Sequence, residues 1–140
     1  MRMSKGEEVH VARHPHVQRE YEERKALVRS MFANYSDVIK IECLGFVASK
    51  VRPHTAVPTD KTLTTSLTST PYPIALEEGI AQNILWSLEE LSAHDIERVV
   101  ERQYVPHLFE YVYYENKPED KSIPDLWHVH VFVRPRPGQA

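Results

Sequence analysis

The sequence predicts a single α+β domain in which an antiparallel sheet packs against helices. Three observations support this fold class. The chain has 140 residues, 41% of them hydrophobic and 26% charged, which is the length and composition of one folded domain with one core. Apolar residues recur at helical spacing in two separate segments. Two segments near the C-terminus alternate apolar and polar residues, and only a short loop separates them, so they can pair as antiparallel strands.

The first predicted element is an amphipathic helix over residues 16–35, where apolar side chains recur mostly at spacings of three, four and seven. Ser36 or Asp37 would cap a second, shorter helix over residues 38–44 that stops at Gly45. The isoleucines of this segment also alternate well enough to permit a strand. Helix is the favoured interpretation.

Residues 51–73 contain four prolines and seven threonines without a sustained period. This composition predicts a long irregular loop, because no periodic apolar face is available for burial. Such a segment is either a lid over a site or a disordered, passive insertion. The passive interpretation is favoured.

Residues 80–87 fit a buried strand and also place apolar residues at helical spacing, so periodicity leaves this segment open. The next segment is clearer. Ser92 is suited to cap a helix over residues 93–103, and Pro106 prevents the helix from continuing.

The two alternating segments, residues 108–116 and 127–134, are predicted to be strands that pair antiparallel. Residues 1–12 and 137–140 are expected to be tails. The predicted domain therefore spans residues 13–136.

The strand over residues 127–134 carries the best candidate site. Successive side chains of a strand point to opposite faces, so one face of this strand is apolar and should be the core face: Trp127, Val129, Val131 and Val133. His128, His130 and Arg134 share the other face with Phe132. Two imidazoles and a guanidinium in a row are suited to bind an anion such as phosphate. The alternative is that these residues only form the solvated face of a half-buried sheet.

Metal binding and cofactor binding have less support. The His-x-His pattern offers two zinc ligands, and His54, His94 or His107 could in principle supply a third, but no CxxC or HExxH motif completes a site. No glycine-rich nucleotide-binding motif is present among the four glycines. No metal and no cofactor are therefore predicted.

Charge and hydropathy restrict the class of protein. A formal net charge of -3 provides no broad cationic field, so nucleic-acid binding is not expected. The chain has no apolar run near the roughly 18 residues that a membrane span requires, and residues 1–11 do not resemble a secretory signal. The single cysteine, Cys43, is interpreted as a packing residue. A soluble cytoplasmic protein is expected, and the sequence does not specify its oligomeric state.

The chain resembles the N-acetylglucosamine-induced protein family, whose domain has no assigned function. The resemblance is carried by "TPYPIALEEGIAQNILWSLEEL" over residues 70–91 and "YVYYENKPEDKSIPDLWHVHVFVRPRP" over residues 111–137, and it extends to residues 14–46. The most family-like points occur in order along the chain: Pro71, Tyr72, Gly79, Ile80, Trp86, Ser87, Asn116, Ser122 and the run His128 to Val131. The resemblance implies a shared fold and no particular activity.

A more distant resemblance is to the histidine-triad superfamily of nucleotide hydrolases and transferases. Its signature is His-x-His-x-His followed by apolar residues, with an Asn and a Ser nearby. Here Asn116 and Ser122 precede a strand that holds two of the three histidines. The resemblance implies a nucleophilic middle histidine, which is His130 if the match begins at His128, and His128 if it ends at His130.

Two functional hypotheses follow. In the first, the strand binds a nucleotide or another phosphorylated metabolite through His128, His130 and Arg134, with Asn116 and Ser122 in support, and the site has potential hydrolase or transferase activity. In the second, the protein is a non-catalytic interaction module whose Thr-rich loop engages another protein.

Overall fold

The computed structural model describes residues 2–3, 12–74, 77–116, 123 and 125–138. Its elements follow in chain order: β1 (Arg2–Met3), α1 (Pro15–Met31), α2 (Tyr35–Cys43), β2 (Val47–Ala48), β3 (Ala56–Val57), β4 (Thr65–Ser69), β5 (Ala81–Ser87), α3 (Ala93–Gln103), β6 (Phe109–Glu115) and β7 (Trp127–Pro135). None of the helices in these ranges is both long enough and apolar enough to cross a lipid bilayer.

Five strands form the main sheet in the order β1-β6-β7-β5-β4, and β2 and β3 form a separate two-stranded sheet. All the pairings are antiparallel. The predicted fold class, an antiparallel sheet combined with helices, is confirmed. Strand β7 lies at the centre, with β5 on one side and β6 on the other, so its backbone is paired along both edges.

One face of the sheet packs against α3. Ile96 and Val100 of the helix are buried in one cluster with the core-facing residues of two strands, Leu85, Val129, Val131 and Val133. The helix has its predicted bounds, and the Ser92 side chain accepts a hydrogen bond from the Asp95 backbone N–H at 3.2 Å, as its role of N-cap requires. Sequence periodicity therefore identified both sides of this core.

Helices α1 and α2 differ slightly from their predicted bounds. The first helix ends at Met31, four residues early, because the backbone turns to pair with His54: the Ala33 N–H donates to its carbonyl and the His54 N–H donates to that of Met31. The second segment is a helix, as favoured, but its N-cap is Asn34 and not Ser36 or Asp37. Asp37 instead occupies the third helical position of a capping box and accepts the Asn34 N–H at 3.1 Å.

Gly45 follows α2, as predicted for the end of that helix. Its φ of 77° lies in the left-handed region, and a Cβ there would collide with the carbonyl oxygen of Lys61. At the end of the same helix, Cys43 is half-buried and packs in the cluster that contains Leu44 and Trp86. Burial raises the pKa of its thiol. The structure thus supports the interpretation of Cys43 as a packing residue.

The prediction of an irregular loop over residues 51–73 was wrong in part. Residues 65–69 form the edge strand β4, in which Leu67 pairs with Leu85, and residues 56–57 form β3. The many β-branched threonines that looked like low complexity favour extended structure once a neighbouring strand is available for pairing. The missing signal was therefore the partner strand and not the local composition.

The remaining strands agree with the sequence. The segment that periodicity left open, residues 80–87, is strand β5. The two strands predicted near the C-terminus are β6 and β7, and they pair antiparallel with Tyr114 opposite His130. Strand β5 pairs with the other edge of β7, where Trp86 lies opposite His128 and Ile84 opposite His130.

Candidate functional site

His128 and His130 lie on the same face of the central strand, as predicted, with ring centroids 5.6 Å apart in an edge-to-face arrangement. This face is not solvated: the two residues are only 5% and 7% exposed. Two apolar groups cover it. The first packs around Trp86, with Leu44, Ile123 and Leu126. The second packs around Phe132, with Ile74 and Tyr114. The interpretation of the histidines as surface residues of a wet sheet face was therefore wrong.

The hydrogen bonds of Gln82 determine which nitrogen of His130 carries its proton. The Gln82 Oε1 accepts the backbone N–H of Ile74 at 2.7 Å, which fixes the orientation of the amide because a backbone N–H can only donate. The other end of the amide, Nε2, then donates to Nδ1 of His130 at 3.1 Å. Neutral His130 must accept at Nδ1 and carry its hydrogen on Nε2.

Electrostatics keeps His130 neutral. Burial, the neighbouring His128 and the cation of Arg13 lower the pKa of His130 from 6.5 to about 3. The imidazole is therefore uncharged near neutral pH and acts as a hydrogen-bond donor through Nε2.

Asn116 lies beside the protonated nitrogen of His130, with its amide Nδ2 3.5 Å from Nε2. Its Oδ1 is buried without a hydrogen-bond partner. Turning the amide by 180° would direct Oδ1 toward the Nε2–H and leave the NH2 group in the unpartnered position. In either orientation, one amide atom of Asn116 has no partner among the described residues.

Tyr114 contributes a second buried polar atom without a partner. Its ring stacks against His130, with centroids 5.2 Å apart, and its hydroxyl has no hydrogen bond to any residue that the structure describes. Burial raises the pKa of this hydroxyl and Arg13 opposes the rise, so the phenol remains protonated. Two unsatisfied polar groups, on Tyr114 and Asn116, therefore adjoin one neutral histidine.

Arg13 is the cation that acts on this cluster. Its guanidinium stacks over the ring of Tyr21, 4.3 Å from the centroid, and its Nε donates to the backbone carbonyl of Tyr72 at 2.7 Å. Nη1 donates to Gln18 at 3.2 Å. These contacts hold the cation close enough to influence the pKa of both His130 and Tyr114.

His128 differs from His130 in the role of its Nδ1. Its Nδ1 lies 2.8 Å from the backbone carbonyl oxygen of Leu126, which can only accept, so Nδ1 carries a hydrogen. The Trp86 ring packs against the His128 ring, with centroids 4.6 Å apart. Nδ1 is therefore a donor in His128 and an acceptor in His130.

The other predicted site residues are placed differently. Arg134 is bound through its Nε to Glu110 at 2.5 Å, and its side chain is 54% exposed, so it lies outside the buried cluster. Phe132 separates it from His130 on that face of the strand. Ser122 lies outside the described residues.

The structure does not bring a third zinc ligand to His128 and His130 within the described residues. Within the part of the chain that the structure describes, no three His, Cys, Asp or Glu side chains are grouped so that they could hold a metal ion. His54 contacts Phe32 and lies 2.7 Å from the carbonyl oxygen of Ser49 through its Nδ1. His94 and His107 are exposed on the surface.

Three residues of the cluster were missed by sequence reasoning: Gln82, Tyr114 and Arg13. The alternation of β5 and β6 contained a signal for the first two, since the antiparallel pairings place them on the histidine face. Arg13 had no signal, because it precedes α1 and only the tertiary fold brings it to a strand more than one hundred residues later.

The fold and the buried polar cluster define the chain as an α+β protein with a histidine pair enclosed beside its central strand. The family model described as Protein of unknown function (DUF3605) matches residues 3–134, and the chain belongs to this family. Comparison with the curated proteins finds none that matches. Among solved structures, the crystal structure of HTC1 aligns with 88% of this chain and 75% of its own, with a TM-score of 0.54 and 15% identity. That likeness shows the fold alone.

Proposed function

We propose that this protein binds a phosphorylated small molecule at the cluster formed by His128, His130 and Asn116. The observation that carries the proposal is the pair of unpartnered buried polar groups, the Tyr114 hydroxyl and one amide atom of Asn116, beside a neutral histidine. A buried polar group without a hydrogen bond costs about 1–3 kcal/mol. Asn83 Nδ2 and Trp127 Nε1 on the α3 face are also unpartnered among the described residues, but the atoms of Tyr114 and Asn116 adjoin an imidazole within range of a cation, which supports a polar ligand there.

The chemistry of the donors favours an oxyanion. The Tyr114 O–H can donate, and the Asn116 NH2 can donate when the amide turns its Oδ1 to the His130 Nε2–H. The Arg13 cation lies within electrostatic range. Phosphate oxygens accept such bonds and are attracted by a guanidinium. Nucleotides, nucleotide sugars and sugar phosphates share this chemistry, and binding data must distinguish them.

The tautomers favour one of the two histidine-triad registers. Attack on phosphorus requires an imidazole lone pair, and in a neutral His128 that lone pair would lie on Nε2, because Nδ1 donates to the Leu126 carbonyl. In the transferase or hydrolase version of the proposal, this lone pair forms a P–N bond as the bond to the leaving oxygen breaks, and water then releases the phosphoryl group. His128 would occupy the middle triad place, and His130 the last.

The first test is thermal unfolding with inorganic phosphate, nucleotides, nucleotide sugars and sugar phosphates. A compound at about 100 times its dissociation constant should raise the free energy of unfolding by about 2.7 kcal/mol, which corresponds to roughly 9 °C for a chain of this length. If no phosphorylated compound shifts the melting temperature, the proposal is overturned.

A matched pair of arginine variants then locates the site. Arg13→Gln should remove most of the affinity for the selected compound, because it deletes the cation next to His130. Arg134→Gln deletes a cation of the same type from the exposed ion pair with Glu110 and should leave the affinity unchanged. The reverse result would place the anion site at Arg134. The sequence predicted that arrangement from the shared strand face of His128, His130 and Arg134.

A non-catalytic interaction module is the second candidate, because large apolar side chains are exposed near the two-stranded sheet. Val47, Val51 and Leu63 are 50%, 76% and 52% exposed, and Val57 of β3 is also exposed. Apolar groups clustered at a surface mark interaction sites in other proteins. Charged replacements at Val47 and Val51 would abolish partner capture in this interpretation without changing the affinity for phosphate.

A further inference from the structure

The strongest unassigned feature of the site is Gln82, a buried side chain that links the main chain to His130. It is 5% exposed, and its two hydrogen bonds lead in opposite directions: to the Ile74 N–H through Oε1 and to the His130 Nδ1 through Nε2. Because the Ile74 N–H can only donate, the amide cannot turn without losing that bond.

We infer that Gln82 is a positioning residue that fixes His130 as an Nε2–H donor and so makes this site select acceptor oxyanions. The inference deepens the proposed function and rests on it for the ligand, although the tautomer itself can be measured without one. If the Gln82 amide did not donate to Nδ1, either ring nitrogen of His130 could carry the hydrogen. The Nε2 lone pair of the other tautomer would accept from the Asn116 NH2 and leave Oδ1, which repels a phosphate oxygen, in the unpartnered position.

All the groups that face His130 are consistent with this role. His128 and Arg13 disfavour a positive charge on the His130 ring. Tyr114 stacks on the ring, and Asn116 lies beside its Nε2. None of them contacts Nδ1 in the described residues, so Gln82 alone determines the tautomer there. Held in this tautomer, the neutral His130 ring can donate a hydrogen bond through Nε2 near neutral pH without being protonated.

The substitution Gln82→Glu tests the inference sharply. The carboxylate can still accept the Ile74 N–H, but toward His130 it can only accept, so the ring should move its hydrogen to Nδ1 and its pKa should rise. Nitrogen-15 NMR of the histidine rings reports both changes. Gln103→Glu adds the same charge at the exposed end of α3 and should leave the His130 signals unchanged.

Three measurements decide the outcome. Wild-type His130 must show hydrogen on Nε2, and a wild-type ring with hydrogen on Nδ1 overturns the inference even if no variant folds. Gln82→Met, which removes the donor without adding charge, should give a mixture of the two tautomers; an unchanged pure Nε2–H form would assign the tautomer to another group. Affinity for phosphate should fall at least tenfold in Gln82→Glu near pH 8, and unchanged affinity would contradict the selective role.

The failure of this inference can be distinguished from the failure of the proposed function. If the wild-type and variant tautomers are as expected but no phosphorylated compound binds, Gln82 fixes the tautomer of a site with another ligand. If phosphate binds but the wild-type ring carries its hydrogen on Nδ1, the site exists and Gln82 does not control it.

Discussion

The two faces of strand β7 are equally buried but are held together by different interactions. The α3 face is mostly apolar, with Val129, Val131 and Val133 packed against Ile96 and Val100. The opposite face buries two imidazoles in a network with Gln82, Asn116 and the main chain, together with polar atoms that have no partner. The α3 face also holds two buried polar atoms without a partner among the described residues, Asn83 Nδ2 and Trp127 Nε1. The faces therefore differ in their buried imidazoles and not in the number of unpartnered atoms.

The difference shows which face is held mainly by apolar packing and which depends on directional hydrogen bonds. Apolar burial contributes about 25 cal/mol per Å2 without directional requirements, so the α3 face needs only shape complementarity. The imidazoles and amides of the opposite face depend on directional hydrogen bonds, so the orientation of each ring and amide matters there. Substitutions on each face separately perturb the two kinds of interaction.

The largest effect is expected on the α3 face. Leu85 is fully buried in that cluster, so Leu85→Ala should lower the free energy of unfolding by about 2–5 kcal/mol through the lost transfer energy and the resulting cavity. Urea unfolding measures it. Leu27→Ala, at a leucine that is 63% exposed, is the matched control and should change stability by less than about 0.5 kcal/mol. Equal effects of the two variants would contradict the assigned core.

The next effect concerns the histidine face and pH. The pKa of His130 is lowered to about 3 in the folded protein, below its ordinary value of 6.5, so the unfolded chain binds a proton in this window that the folded chain does not. Its contribution to stability is fully present above about pH 6.5 and is lost as the pH falls toward about 3. Between about pH 6 and pH 4 the wild type should lose roughly 2 kcal/mol more than His130→Gln.

This pH prediction is checked by urea unfolding at a series of pH values. His94→Gln removes an exposed imidazole and controls for the loss of any histidine. If wild type and His130→Gln show parallel pH profiles, His130 is not a buried neutral group and the contrast between the faces disappears.

A smaller loss is expected from Asn116→Ala, about 1 kcal/mol in the free energy of unfolding. The substitution removes the amide beside His130 Nε2, but this contact is long at 3.5 Å and one amide atom already lacks a partner. Chemical denaturation with and without a bound phosphorylated compound separates the two roles. The variant should lose more in binding than in stability, and a loss in stability alone would make Asn116 a purely structural residue.

The smallest effect is expected at Arg134. Its ion pair with Glu110 is largely exposed, and exposed pairs contribute about 0–1 kcal/mol, so Arg134→Ala should change stability by less than about 1 kcal/mol and less still in high salt. A loss near that of Leu85→Ala would show that the end of β7 belongs to the buried network.

The sequence predicted the elements whose signal is local. The Ser92 cap and the apolar face of α3 specify that helix without reference to the rest of the chain, and the alternation along β7 places His128 and His130 on one face. The sequence analysis did not predict strand β4, because its threonines adopt a strand only where they can pair with β5. The register of β5 likewise determines that Gln82 faces the histidines, and register is a property of the sheet.

What the sequence by itself determined is the α+β class, the central strand and the shared face of its histidines, since side-chain period is fixed by the backbone geometry of helix and strand. Only the tertiary structure decided that this face is buried, which nitrogen of each ring carries the hydrogen, and that Arg13 and not Arg134 acts on the cluster. These properties depend on groups that are distant along the chain: Gln82 is 48 residues from His130, and Arg13 is 59 residues from the Tyr72 carbonyl that holds it. Burial, tautomer and electrostatic influence depend on distance in space, which a linear pattern does not contain.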